Sequence, residues 1–173
     1  MISISIVDDE KELCHSITTF VNGAPGFHCV SVYNSAEAAL KDLPSVKPDV
    51  VLMDINLGGM NGIECAEQLK AAIPSVQIIM LTVYEDTNQI FQALAAGASG
   101  YLLKRSSPTK LLQAIREVHA GGSPMTSSIA RKVVSSFQKS KQTGEKQSHL
   151  SPREETVLNC LAPERLSSDH CLS

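Results

Sequence analysis

Apolar residues come along this chain in two patterns, and the patterns alternate. Short runs stand at Ile2, Ile4, Ile6 and Val7 with Ser3 and Ser5 interleaved, at Phe27 to Val32, at Val50-Val51-Leu52-Met53, at Ile78-Ile79-Met80-Leu81 and at Gly100-Tyr101-Leu102-Leu103. Unbroken runs this short predict strands buried on both faces, as in a parallel sheet. Between them the apolar spacing becomes helical: Leu13, Ile17, Phe20 and Val21; Ala36, Ala39, Leu40 and Leu43; the stretch Gly62 to Ala72; Ile90, Phe91, Leu94 and Ala95; Leu111, Leu112, Ile115 and Val118. Asn22 to Gly26, Pro74, Gly97 and Gly121-Gly122 stop the helices. Asn34-Ser35-Ala36-Glu37 resembles a capping box, and Pro108 suits a first helical turn. Five strands alternating with five helices over about 120 residues predict an α/β doubly wound parallel sheet. The flavodoxin-like order 2-1-3-4-5 is one common solution and gathers ligands at the ends of strands one and three.

That order gives the polar residues that close the strands a common rim. Asp8 and Asp9 end strand one, Asp54 ends strand three, Thr82 ends strand four and Lys104 ends strand five. Singly each has an ordinary explanation: an aspartate before a helix caps it, a threonine is structural, a lysine is a solvated charge. Jointly, three converging carboxylates repel one another unless a cation lies between them. Mg2+ fits one or two carboxylates plus waters and a phosphate. A hydroxyl and an ammonium on the same rim would hold further anion oxygens. Asp54 is then placed as a nucleophile for phosphoryl transfer. Nucleotide binding would want a glycine-rich turn after strand one, where this chain has Asp8-Asp9-Glu10. An aspartyl-phosphate hydrolase of the haloacid dehalogenase type would carry a D-x-D pattern on strand one, whereas Asp54-Ile55-Asn56 lies on strand three.

Composition changes this picture little. The chain has 173 residues and a formal charge of −3, so no overall pull toward nucleic acid or membrane follows. Residues 1–121 hold 13 acids against 8 bases and residues 122–173 hold 5 against 7, an acidic body with a mildly basic tail. The cysteines are Cys14, Cys29, Cys65, Cys160 and Cys171, an odd number without a C-x-x-C pair, so neither a disulfide framework nor a zinc site is indicated. No apolar run would span a bilayer and no signal peptide is evident. The expected location is a reducing cytoplasm.

Ile6-Val7-Asp8-Asp9, Met53-Asp54-Ile55-Asn56-Leu57, Gly59-Met60-Asn61-Gly62, Met80-Leu81-Thr82 and Gly100-Tyr101-Leu102-Leu103-Lys104, in this order and spacing, resemble the motifs of a two-component response regulator. The resemblance covers residues 1–121 as a receiver domain. It implies that Asp54 accepts phosphate from the phosphohistidine of a cognate histidine kinase. It implies that Asp8, Asp9 and Asp54 hold Mg2+, with the backbone carbonyl of Asn56 completing the protein ligands. Lys104 would pair with the phosphorylated carboxylate, Thr82 would turn its hydroxyl to the phosphate, and Tyr101 would follow inward. Gly58 departs from the family's usual proline. Val83 stands where the family usually has a small residue bordering the phosphoryl site, and a valine there is expected to slow hydrolysis of the aspartyl phosphate.

The segment Gly122 to Val133 resembles the linker helix of NarL/LuxR-type regulators, with Ile129, Val133, Val134 and Phe137 on one apolar face. Lys139 to His149 is polar, contains Gly144 and reads as a flexible tether, so 122–149 form linker helix and tether. Leu150 to Ala162 resembles the first helix of a LuxR-type helix-turn-helix domain. After Ala162 the resemblance ends, with no segment matching a scaffold or recognition helix. Residues 150–173 are therefore expected to be a truncated start of that domain, since segments under about 40 residues rarely fold alone. Homodimerisation on phosphorylation is expected, with DNA a partner of full-length relatives. The alternative is a receiver acting through protein contacts, as phosphate sink or dimerising competitor. No substrate turnover is expected.

Overall fold

Five strands form one parallel sheet in the order β2-β1-β3-β4-β5, where β1 is Ile2–Val7, β2 Phe27–Tyr33, β3 Val50–Met53, β4 Gln77–Thr82 and β5 Gly100–Leu103. The computed structural model describes residues 1–143 together with Arg153 and Val157. The helices are α1 (Lys11–Gly23), α2 (Ala36–Val46), α3 (Gly62–Ala72), α4 (Thr87–Ala95), α5 (Pro108–His119) and α6 (Ser127–Thr143). The expected doubly wound order is present.

Strand periodicity divides the core between the two faces of the sheet. Val51, Met53, Ile78, Met80, Tyr101 and Leu103 join one buried cluster with Ala39, Leu43, Leu69, Ile90 and Leu94. Their neighbours Val50, Leu52, Ile79, Leu81 and Leu102 join the other, with Ile17, Val21, Leu111, Ile115 and Val118. The unbroken apolar runs of β3 and β4 are thus explained by helices on both sides. β1 shows how a polar residue survives there. Ser5 is fully buried, and its hydroxyl shares a 2.7 Å hydrogen bond with that of Ser31 on β2.

Three local readings are amended. Ser35 caps α2, accepting from the Ala38 N–H at 3.2 Å, but Glu37 does not close a capping box. Its position is one short of the third helical residue that could reach back. It reaches across instead, and its Oε1 accepts the Met60 N–H at 3.0 Å, steadying the loop after β3. The linker helix α6 runs on to Thr143, into the stretch read as a tether. Lys139, Lys141 and Gln142 are good helix formers, and the lysines suit a helix C-terminus. On α6, Ile129 and Val133 are buried and Phe137 packs, but Val134 is exposed, about 100° round the helix from Val133. Val157 is buried in the same cluster as Ile129 and Val133. Arg153 is helical and exposed, and the remainder of the expected truncated output segment lies outside the described residues, as do residues 144–149 of the expected tether.

The linker is tied to the sheet before α6 begins. The Tyr101 N–H donates to Pro124 O at 3.0 Å and the Thr126 N–H to Tyr101 O at 3.2 Å, a parallel bridge along the outer edge of β5. Glycine at position 100 permits this approach, because a Cβ there would stand 2.9 Å from the Pro124 carbonyl oxygen. α6 then lies over α4, where Phe91 and Phe137 meet edge to face with ring centroids 6.1 Å apart.

Candidate functional site

The parallel pairing of β1 with β3 sets Val7 beside Met53, and the Asp54 N–H extends the ladder by donating to Val7 O at 2.9 Å. Asp8 and Asp54 consequently leave the sheet side by side. Donor oxygens of Asp8, Asp9 and Asp54 lie within 4.8 Å of one another. Asp8 and Asp54 are buried, and Asp9 is exposed. Asp8 does not cap α1 as an isolated aspartate would. Its Oδ1 accepts the Glu10 N–H at 2.9 Å, which fixes the carboxylate toward the rim. Behind Asp54 the chain turns through a glycine loop, and Asn61 caps α3 by accepting from the N–H groups of Ile63 and Glu64. A side chain at Gly62 would overlap the Asp54 carbonyl oxygen, so glycine lets α3 start directly against this loop.

Lys104 reaches the rim from the end of β5, where its N–H donates to Thr82 O at 2.8 Å. Its ammonium lies 2.7 Å from Asp8 Oδ2, 3.3 Å from Asp54 Oδ2 and 3.5 Å from Glu10 Oε2. The lysine therefore stands closer to Asp8 than to Asp54. Burial, and next the charge of Asp8, push the Asp54 carboxyl up to about 6, against the opposing pull of Lys104 and the Asn56 backbone N–H. Burial works against the Lys104 ammonium, but the Asp8 hydrogen bond and the charges of Asp54 and Asp8 outweigh it and raise its pKa. One cation for three carboxylates leaves the rim net negative. The all-oxygen donor set and its spacing fit a hard divalent ion.

The other predicted residues surround this core in a second group. Thr82 is fully buried, and its Oγ1 accepts the Tyr84 N–H at 3.3 Å. Tyr101 points inward, fully buried, with its hydroxyl donating to Tyr84 O at 3.1 Å. The Asn56 side-chain amide donates to the Tyr84 hydroxyl at 3.3 Å. Val83 is 67% exposed beside them. Asp8, Asp9, Asp54 and Lys104 are thus brought together, whereas Thr82, Asn56 and Tyr101 converge on Tyr84. Tyr84 was not singled out from the sequence, and its place two residues after Thr82 is the only signal that could have found it.

Residues 4–116 match the family of the response regulator receiver domain. The chain belongs to that family. Its relatives place it with response regulators of the NarL/LuxR type. It is 30% identical over 142 residues to the transcriptional regulatory protein LnrK of Bacillus subtilis (strain 168), covering 82% of this chain and 64% of the relative. It is 29% identical over 161 residues to the nitrate/nitrite response regulator protein NarL of Escherichia coli (strain K12), covering 92% of this chain and 74% of NarL. A crystal structure of a LuxR-family two-component response regulator from Aurantimonas sp. SI85-9A1 superposes with a TM-score of 0.75 at 29% identity, over 79% of this chain and 97% of that one. The family is one of regulators, and LnrK is named as a transcriptional regulatory protein. Among the described residues no helix is long and apolar enough to cross a membrane.

Proposed function

We propose that this receiver takes a phosphoryl group on Asp54 from the phosphohistidine of a histidine kinase in the cytoplasm. The observation that carries this reading is a buried carboxylate at the end of β3 flanked by Asp8, Asp9 and one lysine. An Asp54 Oδ attacks phosphorus, the new O–P bond forms as the N–P bond breaks, and the departing imidazole nitrogen keeps the electron pair and takes a proton. The attack requires the ionised carboxylate, which the raised pKa still supplies at neutral pH. Asp8, Asp9, Asp54 and the backbone carbonyl of Asn56 would hold Mg2+, which when bound offsets charge on the phosphoryl oxygens. Lys104 moves from Asp8 toward the phosphorylated carboxylate, and Thr82 turns its hydroxyl to a phosphoryl oxygen. Tyr101 already stands inward, fully buried with its hydroxyl on Tyr84 O, so this turn asks no inward movement of it. Val83 borders the approach of water.

Downstream, phosphorylation favours a homodimer and, in full-length relatives, binding to DNA. The test is intact mass after treatment with Mg2+ and a small phosphodonor, followed by DNA binding at two salt concentrations. One phosphoryl group per chain, lost in Asp54→Asn, is expected. No uptake, or uptake persisting in Asp54→Asn, would sink the assignment. DNA binding that appears on phosphorylation and weakens with salt would give this chain a DNA output of its own. Phosphorylation without DNA binding would leave a receiver that signals through protein contacts.

A further inference from the structure

Glu85 lies three residues after Thr82, in the loop between β4 and α4, and nearly all its polar contacts go to other elements. Its Oε1 accepts from an Arg105 guanidinium nitrogen at 2.7 Å and from the Ser128 hydroxyl at 3.1 Å. Its Oε2 lies 3.8 Å from the Lys132 ammonium, and its backbone carbonyl accepts from that same ammonium at 2.5 Å. Ser128 and Lys132 sit one turn apart on the first half of α6. A single loop residue therefore grips α6 through both its carboxylate and its main chain. The residue before it is Tyr84, whose N–H is held by Thr82 and whose carbonyl is held by Tyr101.

We propose that Glu85 is a positioning residue that fixes α6 on the receiver, and that phosphorylation of Asp54 loosens this grip through Thr82. The inference rests on the phosphoryl-acceptor reading above. The Thr82 hydroxyl occupies discrete staggered positions, and the one that receives the Tyr84 N–H is set by the backbone beyond β4. Turning toward a phosphoryl oxygen takes the hydroxyl off that N–H. The Tyr84 N–H, part-buried in that bond, is then released to another acceptor, which frees the peptide that leads into Glu85. The carbonyl gripped by Lys132 is only one residue further on, so the shift reaches α6 without passing through the core. The apolar seat of α6, Ile129 and Val133 with Phe137 on Phe91, stays as it is. The grip sets where and how firmly the helix sits, and the apolar seat alone lets it breathe.

The experiment is hydrogen exchange of the α6 amides in the full chain, with and without Mg2+ and a small phosphodonor, alongside intact mass. In the unphosphorylated chain, Glu85→Gln and Lys132→Met should each speed α6 exchange, roughly three- to tenfold. Phosphorylation of the unaltered chain should do the same, and phosphorylation of Lys132→Met, which lacks the ammonium that holds the Glu85 carbonyl, should add little. Phosphoryl uptake seen by mass with unchanged α6 exchange would overturn the coupling and leave the phosphoryl-acceptor reading intact. Exchange in both Glu85→Gln and Lys132→Met equal to that of the unaltered chain would overturn the grip itself. Absence of uptake would overturn the acceptor reading and the coupling together, while the two variants would still report whether Glu85 holds α6.

Discussion

The rim and the α6 grip use the same pieces, acids against a lysine, in different surroundings. On the rim, Lys104 is 12% exposed between Asp8 and Asp54 at 3% and 6%. At the grip, Glu85 is 29%, Lys132 39% and Arg105 72% exposed. Water screens the second set, and exposed pairs of that kind are worth about 0–1 kcal/mol each. It barely reaches the first, where an unpaired charge costs several. The difference teaches what each can be used for. A buried imbalance of charge makes a site hungry for a cation and an anion, whereas weak exposed pairs make a contact that can be released.

Removing the ammonium is the largest blow to that contrast. Lys104→Met should destabilise the chain by about 3 kcal/mol in urea unfolding without divalent cation, and added Mg2+ should return part of it. A loss no larger than that of a surface lysine would mean the rim is as well solvated as the grip. Asp54→Asn acts in the opposite direction. A folded-state pKa raised from 3.8 to about 6 means that ionised Asp54 opposes folding. Its contribution is favourable below about pH 4 and is lost as the pH rises through about 6. Asp54→Asn should therefore stabilise the chain by up to about 3 kcal/mol at pH 7 without divalent cation, and flatten the pH profile between those limits. A profile unchanged by the substitution would place the titration elsewhere.

Glu85→Gln sharpens the comparison from the other side. Its effect on global stability should stay within about 1 kcal/mol and shrink in high salt, as an exposed network requires. Smallest is Val83→Ala, which should shorten the lifetime of the aspartyl phosphate roughly twofold by opening the approach of water. An unchanged lifetime would dispose of a gating role for Val83.

The strands and the rim were legible because both rest on one-dimensional signals. Apolar runs such as Val50 to Met53 mark a doubly covered strand, and the residue that ends each run marks its carboxyl end. What escaped depends on where a long side chain goes. Glu37 read as half of a capping box and instead holds Met60 across a loop. Val134 read as part of the α6 seat and faces outward, because three apolar residues at helical spacing already filled it. Tyr84 and Glu85 carried no periodicity at all. Their meaning comes from partners up to 47 residues away on elements whose packing no local pattern encodes. Lys104 was legible as a rim residue, but not that Asp8 would be its nearest acid.

The short bridge of residues 124–126 along β5 has a consequence for life in a crowded cell. An all-parallel sheet has two raw edges, each a template for another chain. Here β2 forms one of them, with Val30 and Val32 39% and 45% exposed on that strand, while the linker lies along the other. The linker is thus a guard against self-association as well as a tie to α6. A chain cut after Gly121 would keep every rim residue and uncover β5. Its fault would show as clumping at high concentration before it showed as a failure to signal.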